Sequence, residues 1–135
     1  MKRAEVDSFY KLVGQLTGLY DQLAILSKKN PNDAINKFKL KFINSVLAGA
    51  NQLLGEDYVP FDDFEVFDED NMPRNSDVVL ILSQYLQCFD KLHADNAGLY
   101  GGSWWWILDA EPGESASADG KIRMPTVAPK RLRER

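Results

Sequence analysis

The stretch that decides the fold is residues 5–28, EVDSFYKLVGQLTGLYDQLAILSK, in which large apolar residues recur at intervals of three and four. The members of this series are Phe9, Leu12, Leu16, Leu19, Leu23 and Leu26. Because an α-helix turns once in about 3.6 residues, side chains at this spacing lie along one face. The sequence therefore predicts an amphipathic first helix. Its apolar face could contact the rest of the chain, or the same helix of a second copy in a homo-oligomer.

The following segment predicts a second helix, which begins at Pro31 and runs to about Leu54, with Gly55 as its C-terminal stop. Its apolar residues form two adjacent stripes, Ile35, Phe38, Phe42, Val46 and Leu53 in one, and Ile43, Leu47, Ala50 and Leu54 in the other. Two stripes indicate a helix that is covered on two sides. Residues 37–42 also alternate with period two, as a strand would, but the helical signals on both sides favour a helix.

A third helix is predicted to begin at Asn75-Ser76-Asp77, which supplies an N-cap and a carboxylate in the first turn, and to end before Gly98. These three helices predict an all-α fold, an antiparallel bundle within residues 1–110. A short fourth helix at Trp104–Leu108 is favoured over a strand, because Ser103 could cap it. Residues 111–135 contain several small, polar, proline and basic residues, and are predicted to be a flexible basic tail.

The composition excludes several classes of protein. The chain has 135 residues, 44% hydrophobic content and a single cysteine, so it can form a core without disulfides. The segment MKRAEVDSFY has no apolar region of the kind found in secretory signals, and no stretch is long and apolar enough to span a membrane. We therefore expect a cytoplasmic protein without membrane association.

The net charge of −4 is unevenly distributed along the chain. Residues 1–55 carry eight basic and four acidic side chains, whereas residues 56–71 carry eight acidic and no basic ones. Residues 121–135 carry six basic side chains and one acidic one. Such asymmetry indicates surfaces for interaction with other molecules.

Two aromatic segments are the strongest candidates for binding a protein partner. Within the acidic segment, Tyr58, Phe61, Phe64 and Phe67 recur every three residues, and further along the chain Trp104, Trp105 and Trp106 are consecutive. Aromatic side chains surrounded by charge are typical of protein interfaces. The alternative is that the first group packs as a lid on the core. Three consecutive tryptophans cannot all face one core, so at least one should be exposed or cover another element.

Nucleic-acid binding is the alternative function. The basic residues that could contact phosphates are Lys37, Lys39, Lys41, Lys130, Arg131 and Arg133. The acidic segment could instead imitate nucleic acid and inhibit a protein that binds it. A pI of about 5.0 argues against direct binding.

The sequence contains little that could carry out catalysis. Cys88 and His93 are five residues apart on the predicted third helix, which places them about 140° apart around its axis, so they do not share a face. No glycine-rich phosphate loop and no metal-ligand spacing is present, so no metal or cofactor is predicted. We therefore expect a non-enzymatic protein, a small subunit or adaptor of a larger complex. An enzyme with an unrecognised site remains the other alternative.

Overall fold

Three helices and a three-stranded antiparallel sheet make up the regular structure of residues 1–130, the part of the chain that this computed structural model describes. The helices are α1 (Arg3–Lys29), α2 (Lys37–Tyr58) and α3 (Asn75–Asp95). The strands are β1 (Ala97–Tyr100), β2 (Ser103–Asp109) and β3 (Lys121–Pro125). The fold is therefore α+β, and the prediction of an all-α helical bundle is wrong, because the chain after α3 forms strands.

The apolar faces of the three predicted helices meet in one core. The buried residues of α1 are Val6, Phe9, Leu16 and Leu23, and those of α2 are Leu40, Ile43, Leu47, Ala50 and Leu54. The buried apolar residues of α3 are Val78, Leu82, Tyr85, Phe89 and Leu92. The remaining leucines of the α1 series, Leu12, Leu19 and Leu26, pack at the edge of this core. The apolar face of α1 is thus largely occupied within the chain.

The start of α2 differs from the prediction, since the helix begins at Lys37 rather than Pro31. The Ile35 N–H donates to the Pro73 carbonyl (2.9 Å), and the Asn75 N–H donates to the Asp33 carbonyl (2.9 Å). These bonds join the α1–α2 connection to the segment before α3, so its backbone cannot be helical there. The N-cap is consequently Asn36, whose side-chain oxygen accepts from the N–H of Phe38 at 2.8 Å.

The predicted C-terminal stop of α2 is a real break in the helix. Gly55 has a φ of 66°, a left-handed conformation that glycine adopts without steric cost. One further turn follows the break, and it ends at Tyr58. The break turns the chain away from the axis of α2, and the acidic segment begins there.

The tryptophan segment is a strand, so the prediction of a fourth helix at Trp104–Leu108 is wrong. β1 and β2 form a hairpin whose two turn residues, Gly101 and Gly102, both have positive φ (59° and 79°). Two-residue turns of this kind match the twist of paired strands and favour adjacent glycines. Aromatic and β-branched residues favour strands as well, and the three tryptophans are followed by Ile107.

Part of the segment predicted to be a flexible tail also belongs to the sheet. Residues 121–125 form β3, which pairs with β2 over five residues from Lys121 opposite Asp109 to Pro125 opposite Trp105. Ile122 is buried and Met124 is half-buried, whereas Arg123 between them is exposed. This alternation with period two is typical of a strand with one covered face.

A cluster of aromatic and polar side chains joins the sheet to the helices. Trp106 of β2 is fully buried, stacks on the His93 ring of α3 (centroids 4.4 Å apart) and meets Phe9 of α1 edge-on at 5.0 Å. The Trp106 indole N–H donates to the hydroxyl of Tyr10 at 2.9 Å. Thr126, just after β3, forms hydrogen bonds with both Tyr10 (2.8 Å) and His93 (3.0 Å). Polar groups in this buried region are thus satisfied by one another.

Charged groups tie the end of β2 to the start of the chain. The Asp109 carboxylate lies 3.1 Å from the Met1 ammonium group and is also paired with Lys121. The hydrogen bond with Lys121, followed by that with the Met1 ammonium, lowers the pKa of Asp109 to about 2. Lys2 and Glu111, and Arg3 and Glu114, form two further ion pairs along this edge.

None of the helices within residues 1–130 has the length and apolar character that crossing a membrane requires.

Trp105 and Trp106 lie on opposite faces of β2, and conservative substitutions can test this placement. Trp106→Phe removes a buried N–H donor and leaves a cavity, so we expect it to lower the free energy of unfolding by about 1–3 kcal/mol. Trp105→Phe, on the other face of β2, should cost less than about 1 kcal/mol. Urea unfolding followed by circular dichroism measures both. Equal losses for the two variants would contradict the assigned orientation of β2.

Candidate interaction surfaces

The acidic-aromatic loop (residues 56–74) turns its aromatic rings toward the helices. Tyr58, Phe64 and Phe67 pack against the core, and all three are half-buried. Phe64 meets Phe67 edge-on at 5.0 Å and Phe61 at 6.5 Å. The loop therefore has the geometry of a lid on the core, which was the alternative to a protein-binding surface. A binding role for these four aromatics stays a prediction.

Two asparagines of α2 hold this loop in place. Asn44 donates to the Phe67 carbonyl and accepts from the Phe67 N–H, each at 2.9 Å. Asn51, two turns further along the same face, donates to the Glu65 carbonyl at 2.8 Å and accepts from the buried hydroxyl of Tyr85. Burial raises the pKa of the Tyr85 hydroxyl, although its bond to Asn51 acts in the opposite direction. The two asparagine side chains thus supply hydrogen-bond partners to backbone groups of the loop, which have no partner in a helix or a sheet.

The carboxylates of the loop face solvent. Asp62, Asp63, Glu65, Asp68, Glu69 and Asp70 are all exposed. At the beginning of the loop, the Tyr58 hydroxyl donates to Asp95 at 2.8 Å, and this bond is the main reason that the pKa of Tyr58 is raised. With its rings inward and its carboxylates outward, the loop forms an acidic surface on one side of α2.

The three tryptophans divide between the two faces of the sheet. Trp106 and Leu108 are buried beneath the helices, and Trp104 lies on the same face by strand alternation. Trp105 points to the opposite face, where its indole N–H donates to the Tyr100 carbonyl at 3.2 Å. The ring contacts of the described residues do not join the tryptophans to the aromatics of the loop. The two predicted binding groups therefore lie on separate surfaces.

Cross-strand register defines the open sheet face, the side of the sheet that carries Trp105. Its residues include Gly98, Tyr100, Trp105, Ile107, Arg123 and Pro125, and the Asp109–Lys121 pair lies at its end. The Tyr100 ring lies over Gly98, where an added Cβ would come within 2.7 Å of it. The Arg123 guanidinium group stacks on the same ring, 4.1 Å from its centroid. Tyr100 is nevertheless 48% exposed.

The basic residues predicted for nucleic-acid binding are placed as follows. Lys37, Lys39 and Lys41 are exposed on the first turns of α2, which also carry the exposed rings of Phe38 and Phe42. Lys130 is exposed beside a cleft that also contains Lys91. Arg131 and Arg133 lie outside the described residues. Lys39 is brought together with these two aromatic rings, which the sequence analysis had assigned to a covered stripe.

The two residues considered for catalysis are held apart. His93 is buried in the cluster with Trp106 and Thr126, whereas Cys88 is half-buried in a cleft lined by Tyr58, Gln84 and Lys91. Burial raises the pKa of the Cys88 thiol, which disfavours the reactive thiolate. Within residues 1–130, no group of three or more His, Cys, Asp or Glu side chains has the geometry of a metal site.

Tyr100 and Arg123 were not among the residues predicted to bind a protein partner. The usable signals were the two turn glycines between Tyr100 and Ser103 and the alternation of residues 121–124. Together they would have predicted a sheet with Trp105, Tyr100 and Arg123 on one side.

Comparison with known proteins does not extend this description: no family model matches the chain, and no curated protein and no solved structure is significantly similar to it.

The role of Asn44 in holding the loop can be tested by Asn44→Ala. The substitution leaves the N–H and the carbonyl of Phe67 without their partner, so the free energy of unfolding should fall by about 1–3 kcal/mol. Limited proteolysis should also cleave the acidic-aromatic loop faster. Ser45→Ala, at the exposed neighbouring position, is the control and should change neither property. An Asn44→Ala protein as resistant to protease as the wild type would contradict this role.

Proposed function

We propose that this chain is a non-enzymatic interaction protein, a small subunit or adaptor, whose open sheet face binds another protein. The observation that carries the proposal is the group formed by Trp105, Tyr100 and Arg123 on that face. Tryptophan, tyrosine and arginine are the residue types that contribute most to protein interfaces. Trp106 packs in the core, whereas Trp105 lies on the outer face of β2 and is not part of the core.

The chemistry of the face indicates what the partner presents. Arg123 is exposed, its guanidinium group is oriented by stacking on Tyr100, and it forms no ion pair with any of residues 1–130. A guanidinium group held in this way can bind a carboxylate through two parallel hydrogen bonds. Trp105, Ile107 and Pro125 supply apolar area beside it. The partner surface is therefore an apolar protein patch with a carboxylate opposite Arg123.

The placement of the other groups supports a binding role over a catalytic one. The histidine is committed to the Trp106 stack, and burial disfavours the thiolate of the cysteine. The proposal also includes a cytoplasmic location, where a free half-buried thiol remains reduced.

Photocrosslinking in the native host tests this proposal directly. We expect p-benzoylphenylalanine placed at Tyr100 to give a discrete, nuclease-resistant crosslink to one protein. The same group placed at Leu80, which is 58% exposed on α3, is the matched position and should give none. Arg123→Ala should reduce the yield at Tyr100 at least about fivefold, because loss of an interface hot spot costs more than about 1 kcal/mol.

A second control separates this face from other stacked cations. Lys91 lies over the Tyr58 ring at 5.8 Å, so Lys91→Ala removes a comparable contact elsewhere on the surface. It should leave the crosslink at Tyr100 unchanged. Equal crosslinking at Tyr100 and Leu80, or a yield that does not respond to Arg123→Ala, would refute the proposal.

A further inference from the structure

α2 carries two apolar stripes, and the described chain fully covers only one of them. The stripe of Ile43, Leu47, Ala50 and Leu54 is fully buried against α1 and α3. In the other stripe, Val46 and Leu53 are half-buried, whereas Phe38 and Phe42 are 68% and 55% exposed. The two phenylalanine rings meet edge-on at 4.9 Å and form an apolar pair open to solvent. Exposed apolar area of this kind marks an interaction site.

The exposed stripe borders a long groove between α1 and α2. One part, of about 610 Å³, is lined by residues that include Leu12, Val46, Gly49 and Leu53. The other part, of about 190 Å³, is lined by residues that include Leu19, Phe38 and Phe42. We call these two parts together the α1–α2 groove.

Residue spacing places the two parts one after the other along the same face of each helix. On α1 the lining residues include Glu5, Ser8, Leu12, Gln15, Leu19 and Gln22, at intervals of three and four. On α2 they include Leu53, Gly49, Val46, Phe42 and Lys39, at the same intervals in the opposite direction. Each series follows one face of its helix, so the groove runs for about 25 Å, the length of four to five helical turns.

The electrostatics of the groove favour an acidic occupant. Lys39 lines the groove beside the phenylalanine pair, and Lys37 lies on the same first turn of α2, where the helix dipole adds positive potential. Lys41 lies on another side of α2, in a hollow that is also lined by Asp68, Glu69 and Asp70. None of these three lysines forms an ion pair within residues 1–130. Lys11 lies further along the groove, and the only carboxylate among its lining residues is Glu5, whose side chain accepts from the Lys2 N–H at 3.0 Å.

We propose that the α1–α2 groove binds an amphipathic helix of a partner protein, with apolar residues on one face and carboxylates beside them. The helix lies between α1 and α2 on the side opposite α3. Its apolar face covers Leu12, Val46 and the phenylalanine pair, and its carboxylates meet Lys39 of α2 and Lys11 of α1. The groove is distinct from the open sheet face, so the two surfaces can bind two partners at once.

The experiment is fluorescence anisotropy with the full chain and two labelled peptides of about 18 residues, the length of the groove. Both peptides have leucine at every third and fourth position, with glutamate at the flanking positions in one and lysine in the other. The glutamate peptide should bind at least about tenfold more tightly, and more weakly as salt rises. Equal binding of the two peptides would overturn the proposal.

Two sets of variants assign the binding to the groove. Phe38→Ala/Phe42→Ala should weaken binding of the glutamate peptide at least about tenfold, because the phenylalanine pair supplies the central apolar contacts. Ile25→Ala/Leu80→Ala removes two exposed apolar side chains elsewhere and should change nothing. Unchanged affinity in the phenylalanine variant, with its helical circular dichroism intact, would overturn the proposal.

Charge reversal tests whether the preference for the glutamate peptide comes from basic residues of the groove or from the net charge of the protein. Lys11→Glu/Lys39→Glu should shift the preference from the glutamate peptide to the lysine peptide, because both residues line the groove. Lys28→Glu/Lys91→Glu has the same net charge, but these exposed residues lie outside the groove, and the preference for the glutamate peptide should persist.

Two further measurements, with oligothymidine and by sedimentation, test other occupants of the groove. Oligothymidine that binds more tightly than the glutamate peptide, and is released by Phe38→Ala/Phe42→Ala, would replace the proposal with a nucleic-acid site. A dimer in sedimentation that is lost in the same variant would replace it with self-association.

Discussion

The stacking of Trp106 on His93 is the interaction on which the arrangement of the molecule depends. It joins β2 to α3, and the edge-on contact of Trp106 with Phe9 joins both to α1. The hydrogen bonds of Tyr10 and Thr126 satisfy the indole N–H and the imidazole Nε2 in the same place. Once this indole is fixed inward, strand alternation directs Trp105 outward. The open sheet face is thus a consequence of how the core is packed.

The second organising feature is α2, which presents different chemistry on different sides. One side belongs to the core, and a second holds the acidic-aromatic loop through Asn44 and Asn51. A third side carries the phenylalanine pair and Lys39. The acidic-aromatic loop and the phenylalanine pair therefore lie on different sides of a single helix.

The parts of the fold that sequence could predict are those determined by local pattern. The α3 helix begins at Asn75, because apolar spacing acts within a few residues. Its N-cap is Arg74, one residue before the predicted cap, and the Asp77 carboxylate accepts from the Arg74 N–H at 3.3 Å. The start of α2 was missed because it depends on hydrogen bonds between residues that are far apart in sequence, such as Ile35 and Pro73. β3 was missed because a five-residue strand with only Ile122 buried has a weak pattern of its own. Its existence depends on β2.

The candidate surfaces were predictable to different degrees. That three adjacent tryptophans cannot all face one core followed from geometry alone, and the structure places Trp105 and Trp106 on opposite faces. Which tryptophan points outward depends on the register with β1 and β3. The sequence pattern shows that Phe38 and Phe42 belong to an apolar stripe of α2. It does not show that they are exposed, because exposure depends on whether another element of the described residues covers them.

Helices and sheet share one core through the Trp106 cluster, and native-state hydrogen exchange shows whether they open together. The backbone N–H groups of Ile107 in β2 and of core residues in α3, such as Phe89, should exchange with the same free energy of opening. This value should equal the free energy of global unfolding. If the N–H groups of β2 exchange through a much smaller opening while α3 stays protected, the sheet is a separate unit, which would contradict a shared core.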